Sequence, residues 1–205
     1  MKVVFIIAAV LILVFIAFQI YWIFQINKTE VQRYEVVAKG ENFEIRHYPS
    51  ATMATIHSQA NQYREFRNTG FRTLAGYIFG GNDAGKQISM TSPVHMDFND
   101  SSSTMSFVMP ATLNAADLPK PNDSKISIHQ SPDEYVAAIQ FGGFASEKDI
   151  RAYSDKLENA LNSVPITSIG TYRYLGYNPP FQLLFRRNEV VVKVLWDPTK
   201  NNKQL

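Results

Sequence analysis

Residues Val3 to Phe18 are apolar without a break, and Ile20 to Phe24 carry the run on to Ile26 with only Gln19 and Gln25 intervening. Such a stretch has no polar side to turn toward water, so it cannot lie on the surface of a water-soluble core. About 20 residues of helix cross a hydrocarbon core, and this segment is long enough. A cleaved signal peptide is the other reading. Its apolar region is ordinarily about 7–15 residues and ends at a small-x-small site; this run is longer and no such site follows. Tyr21 and Trp22 stand where an interfacial aromatic belt is expected. The sequence is read as an uncleaved single-pass anchor over 1–26, a polar spacer over 27–32, a folded domain over 33–197 and a polar tail over 198–205. Lys2 flanks one end of the run and Lys28, Arg33 and Lys39 the other, so charge alone does not orient it. The short head before a long apolar run favours an internal N-terminus and an extracytoplasmic domain.

Within 33–197 the clearest local signals are two amphipathic helices. Tyr63, Phe66, Gly70, Phe71, Leu74, Tyr77 and Ile78 recur at three- and four-residue spacing, the apolar stripe of a helix lying on a sheet. Gly80-Gly81 ends it, because glycine accepts the left-handed conformation of a helix stop. Ile150, Tyr153, Leu157, Ala160, Leu161 and Val164 form a second stripe, over Glu147 to Val164. Ser146 with Asp149 makes its capping box and Pro165 stops it.

Strands are expected at Tyr34–Ala38, Phe43–Tyr48, Ala51–His57, Val94–Phe98, Thr104–Met109, Lys125–Gln130, Tyr135–Phe141, Thr171–Tyr177 and Val190–Trp196. Asn99–Ser103 reads as a solvated loop. Pro110, Pro119 and Pro121 mark a long connection. It joins two halves of one domain, because Ile45, Pro49 and Ile56 recur at the same mutual spacing as Ile128, Pro132 and Ile139. Each half then reads strand, strand, helix, strand, strand. The expected fold is α+β: a pseudo-twofold duplicated unit whose antiparallel strands curl into a distorted barrel carrying two helices, behind a transmembrane helix.

Composition excludes several functions. Basic and acidic residues number 20 and 18 with no basic stripe, which argues against nucleic acid as a partner. There is no cysteine, so disulfide and thiolate chemistry are absent. His47, His57, His95 and His129 show no metal-ligand spacing, and no serine sits in a nucleophile elbow. Gly80-Gly81 with Gly85-Lys86 follows a helix instead of a strand, so it reads as cap and turn, not as a phosphate loop. No enzymatic constellation is present in the sequence.

Four blocks have a specific wording. They are Phe43-Glu-Ile-Arg-His47-Tyr48; Phe71-Arg-x-Leu-x-x-Tyr77-Ile78-x-Gly-x-Asn82 with Lys86-x-Ile-x-Met90-Thr91-x-Pro93-Val94; Leu118-Pro-Lys-Pro121; and Gly176-Tyr-Asn-Pro-Pro-Phe181 with Arg187-Asn-Glu-Val190. In this order the chain resembles the SOUL haem-binding protein family over about residues 33–197. The resemblance implies the pseudo-twofold barrel, a fold that also looks like the effector-binding domains of some bacterial transcription regulators. It further implies a ligand groove between the first helix of the domain and the loop between the last strands.

On this sequence the groove residues are Phe71 and Ala75 from the helix, Tyr177, Pro180 and Phe181 from the loop, and Arg67 and Arg72 for the propionates. Leu74 and Ile78 read as core. Some relatives place basic residues where this chain has Asn68, Gly76 and Gln182; Arg67, Arg72 and Arg186 lie close enough in sequence to substitute. His47, on an alternating strand, reads either as a strand histidine paired across the sheet or as an axial ligand to haem iron. The expected cofactor is haem or another tetrapyrrole, held non-covalently and without obligatory axial coordination. The expected function is a membrane-tethered haem or tetrapyrrole-binding module, a carrier, buffer or sensor without catalysis. The alternative is a structural or protein-interaction domain of the same fold that binds no haem.

Overall fold

The computed structural model describes residues 1–26, 28–58, 63–98 and 102–198, without the side chains of 63–65 and 98. Parts of the expected loop at 99–103 and nearly all of the expected tail lie outside the described residues. Helix α1 spans Lys2–Ile26 and is long and apolar enough to cross a membrane, a property that a signal sequence shares. Its one buried residue is Gln19.

Two-residue strand β1 (Glu30–Val31) lies in the expected spacer and pairs in parallel with β5 (Thr91–Ser92). The remaining strands are β2 (Glu35–Lys39), β3 (Glu44–Tyr48), β4 (Thr52–Ser58), β6 (Val94–Phe98), β7 (Ser103–Val108), β8 (Ile126–Gln130), β9 (Glu134–Phe141), β10 (Ser168–Gly176) and β11 (Asn188–Val194). They form a nine-stranded sheet in the order β2-β3-β9-β11-β10-β6-β7-β4-β8. Every pairing in it is antiparallel.

The expected barrel closure is not found: β2 and β8 are the two ends of the order, and among the described residues they do not pair. At the β2 edge, a register shift between Val36 and Ala38 interrupts the pairing with β3. A bulge of that kind twists an edge strand away from further pairing.

Helix α2 (Tyr63–Ile78) packs on β4 and β7, and α3 (Glu147–Asn162) on β9, β10 and β11. Their stripes enter one large core: Phe66, Leu74, Tyr77 and Ile78 from α2, and Leu157 and Leu161 from α3. Alternation along β11 sends Val190, Val192 and Val194 into that core and Val191 to the opposite face of the sheet. There Val191 joins Tyr48, Val136, Ala138, Leu175 and Tyr177 in a smaller cluster.

Both helix ends follow from local chemistry. Gly80 has φ 107°, and Gly81 N–H donates to the Gly76 carbonyl at 2.8 Å, which caps the last turn of α2. Buried Asn82 then clamps the turn: Nδ2 donates to the Tyr77 and Lys86 carbonyls, and Oδ1 accepts from Lys86 N–H. At α3 the Ser146 hydroxyl accepts from Asp149 N–H, and the Asp149 carboxylate accepts from Ser146 N–H at 2.9 Å.

Candidate functional site

On α2, Arg67, Phe71 and Ala75 form one i, i+4 row at the margin of the buried stripe that includes Leu74 and Ile78, and Ala75 packs partly against that core. Phe71 is 41% exposed, its ring edge-on to Phe107 of β7 at 5.3 Å. Arg72 is exposed beside it. The helix side of the expected groove is thus apolar in the middle with cations at its margin.

The loop from Tyr177 to Arg187 joins β10 to β11 and is braced from inside by Arg186. Its Nη1 donates to the carbonyls of Pro179 and Gln182, and its Nη2 to that of Asn178. The guanidinium lies 4.4 Å over the Phe144 ring. Burial lowers the Arg186 pKa; Tyr174 opposes the shift and the nearby Arg67 charge adds to it. Gln182 is buried and spans the loop, donating to the Leu184 carbonyl and accepting from Asn178. An amide at this position does structural work that a basic side chain would not.

Pro180 and Phe181 are exposed on the loop, but Phe181 has a neighbour the sequence did not suggest. The Trp22 ring of α1 packs against it at 4.3 Å. Gln19 of α1 donates to the Phe181 carbonyl at 3.2 Å and accepts from Leu183 N–H at 3.0 Å. Two buried donors in this region have no acceptor among the described residues: Trp22 Nε1 and Arg186 Nε.

Tyr177 and His47 lie apart from Phe71. Tyr177 is turned to the opposite face of the sheet, where its hydroxyl donates to Glu189 Oε2 at 2.8 Å. His47 lies on β3, with β9, β11, β10 and β6 between it and β7. Its Nε2 is 2.8 Å from Asp133 Oδ1, and its ring lies 4.9 Å from that of Tyr135. His57, His95 and His129 each have a hydrogen-bond partner too: Thr104, Gln32 and Thr55.

The opposite face holds a buried charge network that sequence reasoning missed. Glu189 is fully buried, with Arg46 Nη1 at 2.7 Å and Arg187 Nη2 at 2.7 Å from its two oxygens. Arg46 also lies 4.3 Å over the Tyr34 ring, and Arg187 4.1 Å over that of Tyr177. Burial opposes ionisation of Glu189, yet the bonds and charges of Arg46 and then Arg187 outweigh it and hold the carboxyl below its ordinary pKa. Burial and Glu189 push the Tyr177 hydroxyl up, so it stays a proton donor. The local sequence carries no signal for it, since Arg46 stands between Glu44-Ile45 and His47, and Glu189 follows Arg186-Arg187-Asn188. Among the described residues no group of three or more His, Cys, Asp or Glu could hold a metal ion.

The larger surface hollows lie elsewhere. One is bordered by Glu30, Arg33, Thr52 and Asn114, and another by Lys39, Glu41, Arg46 and Gln140. Neither is a flat apolar slot.

The SOUL heme-binding protein family model matches residues 29–193. The chain belongs to the SOUL family. Curated SOUL-like relatives include heme-binding protein 2 of Mus musculus, 30% identical over 170 residues that cover 79% of this chain and 82% of that one. Heme-binding protein 1 of Xenopus laevis is 29% identical over 166 residues, covering 76% and 87%. The fold of this SOUL chain is similar to that of the EcmrR C-terminal domain, with a TM-score of 0.60 at 7% identity, covering 80% of this chain and 99% of that one.

Proposed function

We propose that the chain is a membrane-tethered haem or tetrapyrrole-binding module without catalysis, whose ligand lies between the Arg67, Phe71 and Ala75 row of α2 and the 177–187 loop. The observation that carries this reading is the exposed Phe71 ring on α2, with Arg67 one turn before it and Arg72 next to it on the same helix. A tetrapyrrole is a flat apolar disc with carboxylates on its rim. Phe71, Ala75, Pro180 and Phe181 would meet the disc; Arg67 and Arg72, with the unpaired Nε of Arg186, would meet the carboxylates. Tyr177 would act from behind, fixing the root of the loop through Glu189.

No histidine is assigned to iron. His47 is already held by Asp133, and the other three histidines have partners of their own. The family name of the relatives, the matching length and the retained fold support haem as the ligand class. We also read the two halves as copies of one unit, since the order outward from the β6–β10 pair is β7, β4, β8 on one side and β11, β9, β3 on the other. The anchor reading makes the protein single-pass, with the domain extracytoplasmic.

The full chain in detergent, titrated with haemin and followed at the Soret band, tests this. Saturable one-to-one binding is expected. Phe71→Ala should weaken it by about 1–3 kcal/mol, the worth of one apolar side chain's burial, while His47→Ala should change little. A six-coordinate spectrum that disappears only in His47→Ala would overturn the assignment. A second reading, a tethered domain that binds no haem, is favoured by one contact: Trp22 covers the Phe181 ring. Absorption that never saturates, unchanged by Phe71→Ala, would select it.

A further inference from the structure

We propose that the 179–185 loop is a membrane-seated surface, resting at the boundary between headgroups and acyl chains of the bilayer that α1 crosses. The proposal rests on the reading of α1 as a span.

The loop is apolar where it is exposed. Phe181, Leu183, Leu184 and Phe185 are 40%, 44%, 49% and 85% exposed, and Phe144 beside Arg186 is 54% exposed. Phe185 has φ 53°, a left-handed conformation that a bulky side chain adopts only at a cost. The strained residue is also the most exposed of the group, so its ring is aimed outward instead of being tucked into a core.

The backbone beneath this surface is closed off. The carbonyls of Asn178, Pro179 and Gln182 accept from Arg186, that of Phe181 from Gln19, and that of Leu184 from Gln182. Leu183 N–H donates to Gln19. Five carbonyls of the loop region are thereby taken by protein donors. Water would satisfy such carbonyls at an aqueous loop tip, whereas at membrane depth each unpaired backbone group costs several kcal/mol.

The anchor fixes the depth. From Val3 to Gln19 is about 24 Å of helix at 1.5 Å per residue, against a hydrocarbon thickness of about 30 Å. Gln19 therefore lies near one face of the hydrocarbon. Its amide, alone among Val3 to Phe24 in being polar, has both ends satisfied by this loop. The loop must stand at the depth of Gln19 to do that. Trp22 against Phe181 lies on the side of Gln19 nearer the domain, where an interfacial aromatic belongs.

The chain has no cysteine, so a single introduced thiol is a unique label site. Phe185→Cys and Leu184→Cys, each labelled with an NBD fluorophore, are compared with Ser163→Cys at the exposed end of α3. The full chain is reconstituted in phosphatidylcholine nanodiscs, with and without lipids carrying a nitroxide at acyl carbon 5. The expected result is severalfold stronger quenching by the nitroxide lipid at 184 and 185 than at 163, and severalfold weaker quenching by aqueous iodide. Equal iodide quenching at all three sites, with no nitroxide effect, in a chain that has entered the nanodiscs overturns the membrane seating alone. A chain that stays outside the nanodiscs overturns the span and this proposal together. Haemin binding is read separately and is not decided by either outcome.

Discussion

Replacing Arg46 with alanine should destabilise the protein more than any change to a surface charge. Its guanidinium is 3% exposed as a residue and gives two hydrogen bonds, at 2.7 and 3.1 Å, to the fully buried Glu189. A third runs to Glu44 at 2.9 Å. Removing one partner of a buried pair ordinarily costs about 3–5 kcal/mol, because the other charge is left in a place that cannot hydrate it. Here Arg187 and the Tyr177 hydroxyl stay on Glu189, which moves the expectation to the low end, about 3 kcal/mol. At about 2–4 °C per kcal/mol for a chain of this size, the melting temperature should fall by about 6–12 °C. Arg151→Ala is the control: Arg151 and Glu147 have side chains 75% and 63% exposed, and such a pair contributes about 0–1 kcal/mol. The measurement is far-UV circular dichroism of the full chain in detergent on heating at neutral pH. If the Arg46→Ala and Arg151→Ala melts superimpose, the reasoning about uncompensated buried charge is wrong for this network.

Leu157→Ala should cost about 2–5 kcal/mol, since Leu157 is fully buried on the α3 stripe; an unchanged melting temperature would remove that face from the core. Ser146→Ala deletes the hydroxyl that accepts from Asp149 N–H and should cost about 1 kcal/mol, read in the same melts. His95 supplies a pH test, because burial and then the Arg173 charge push its pKa down to about 3. The folded ring stays neutral while the unfolded one takes up a proton below about 6.5. Stability should therefore fall as pH drops from about 6.5 toward 3, and His95→Gln should flatten that slope in melts at pH 6, 5 and 4. Glu189, with its lowered pKa, acts only further down, as pH falls through its folded value. A slope identical in the variant would exclude His95 as its source.

The parts of the fold that depend on neighbours in sequence were readable. Both helices were, because their stripes repeat at helical spacing and their caps are local; the expected Val164 end of α3 falls two residues beyond the observed Asn162. Strand positions were readable for the same reason. Pairing was less so: Glu30–Val31 carries no pattern, and only its partner Thr91–Ser92 makes it a strand. That the sheet ends at β2 and β8, unpaired with each other among the described residues, is likewise a long-range property that composition does not signal. On α2, periodicity put Phe71 and Leu74 in one stripe, and the folded chain separates them, Phe71 lying exposed at its margin and Leu74 buried. Tyr177 could not be placed, since at the end of β10 the two-residue alternation alone decides its face, and it fell with Leu175 opposite the helices. Arg46 and Glu189 stand 143 positions apart, and Gln19 and Phe181 162 apart, so only the folded chain reveals them as pairs.

That last pair bears on how anchoring and the proposed ligand site relate. Arg186 braces the 177–187 loop from within, through the carbonyls of Asn178, Pro179 and Gln182. Gln19 and Trp22 then pin the same loop to α1 through its backbone and through Phe181. Under the proposed reading α1 would be a wall of the site as well as a tether. A soluble fragment lacking α1 would keep Phe71 and Arg67 but would lose the partner of Leu183 N–H and the ring that packs on Phe181. Water would satisfy the freed backbone groups, and the loop would keep only its internal braces from Arg186, Gln182 and Asn178. Gln19 ties α1 to the loop through both ends of its amide, and under the proposed reading that contact would couple the seating of α1 to the geometry of the ligand site.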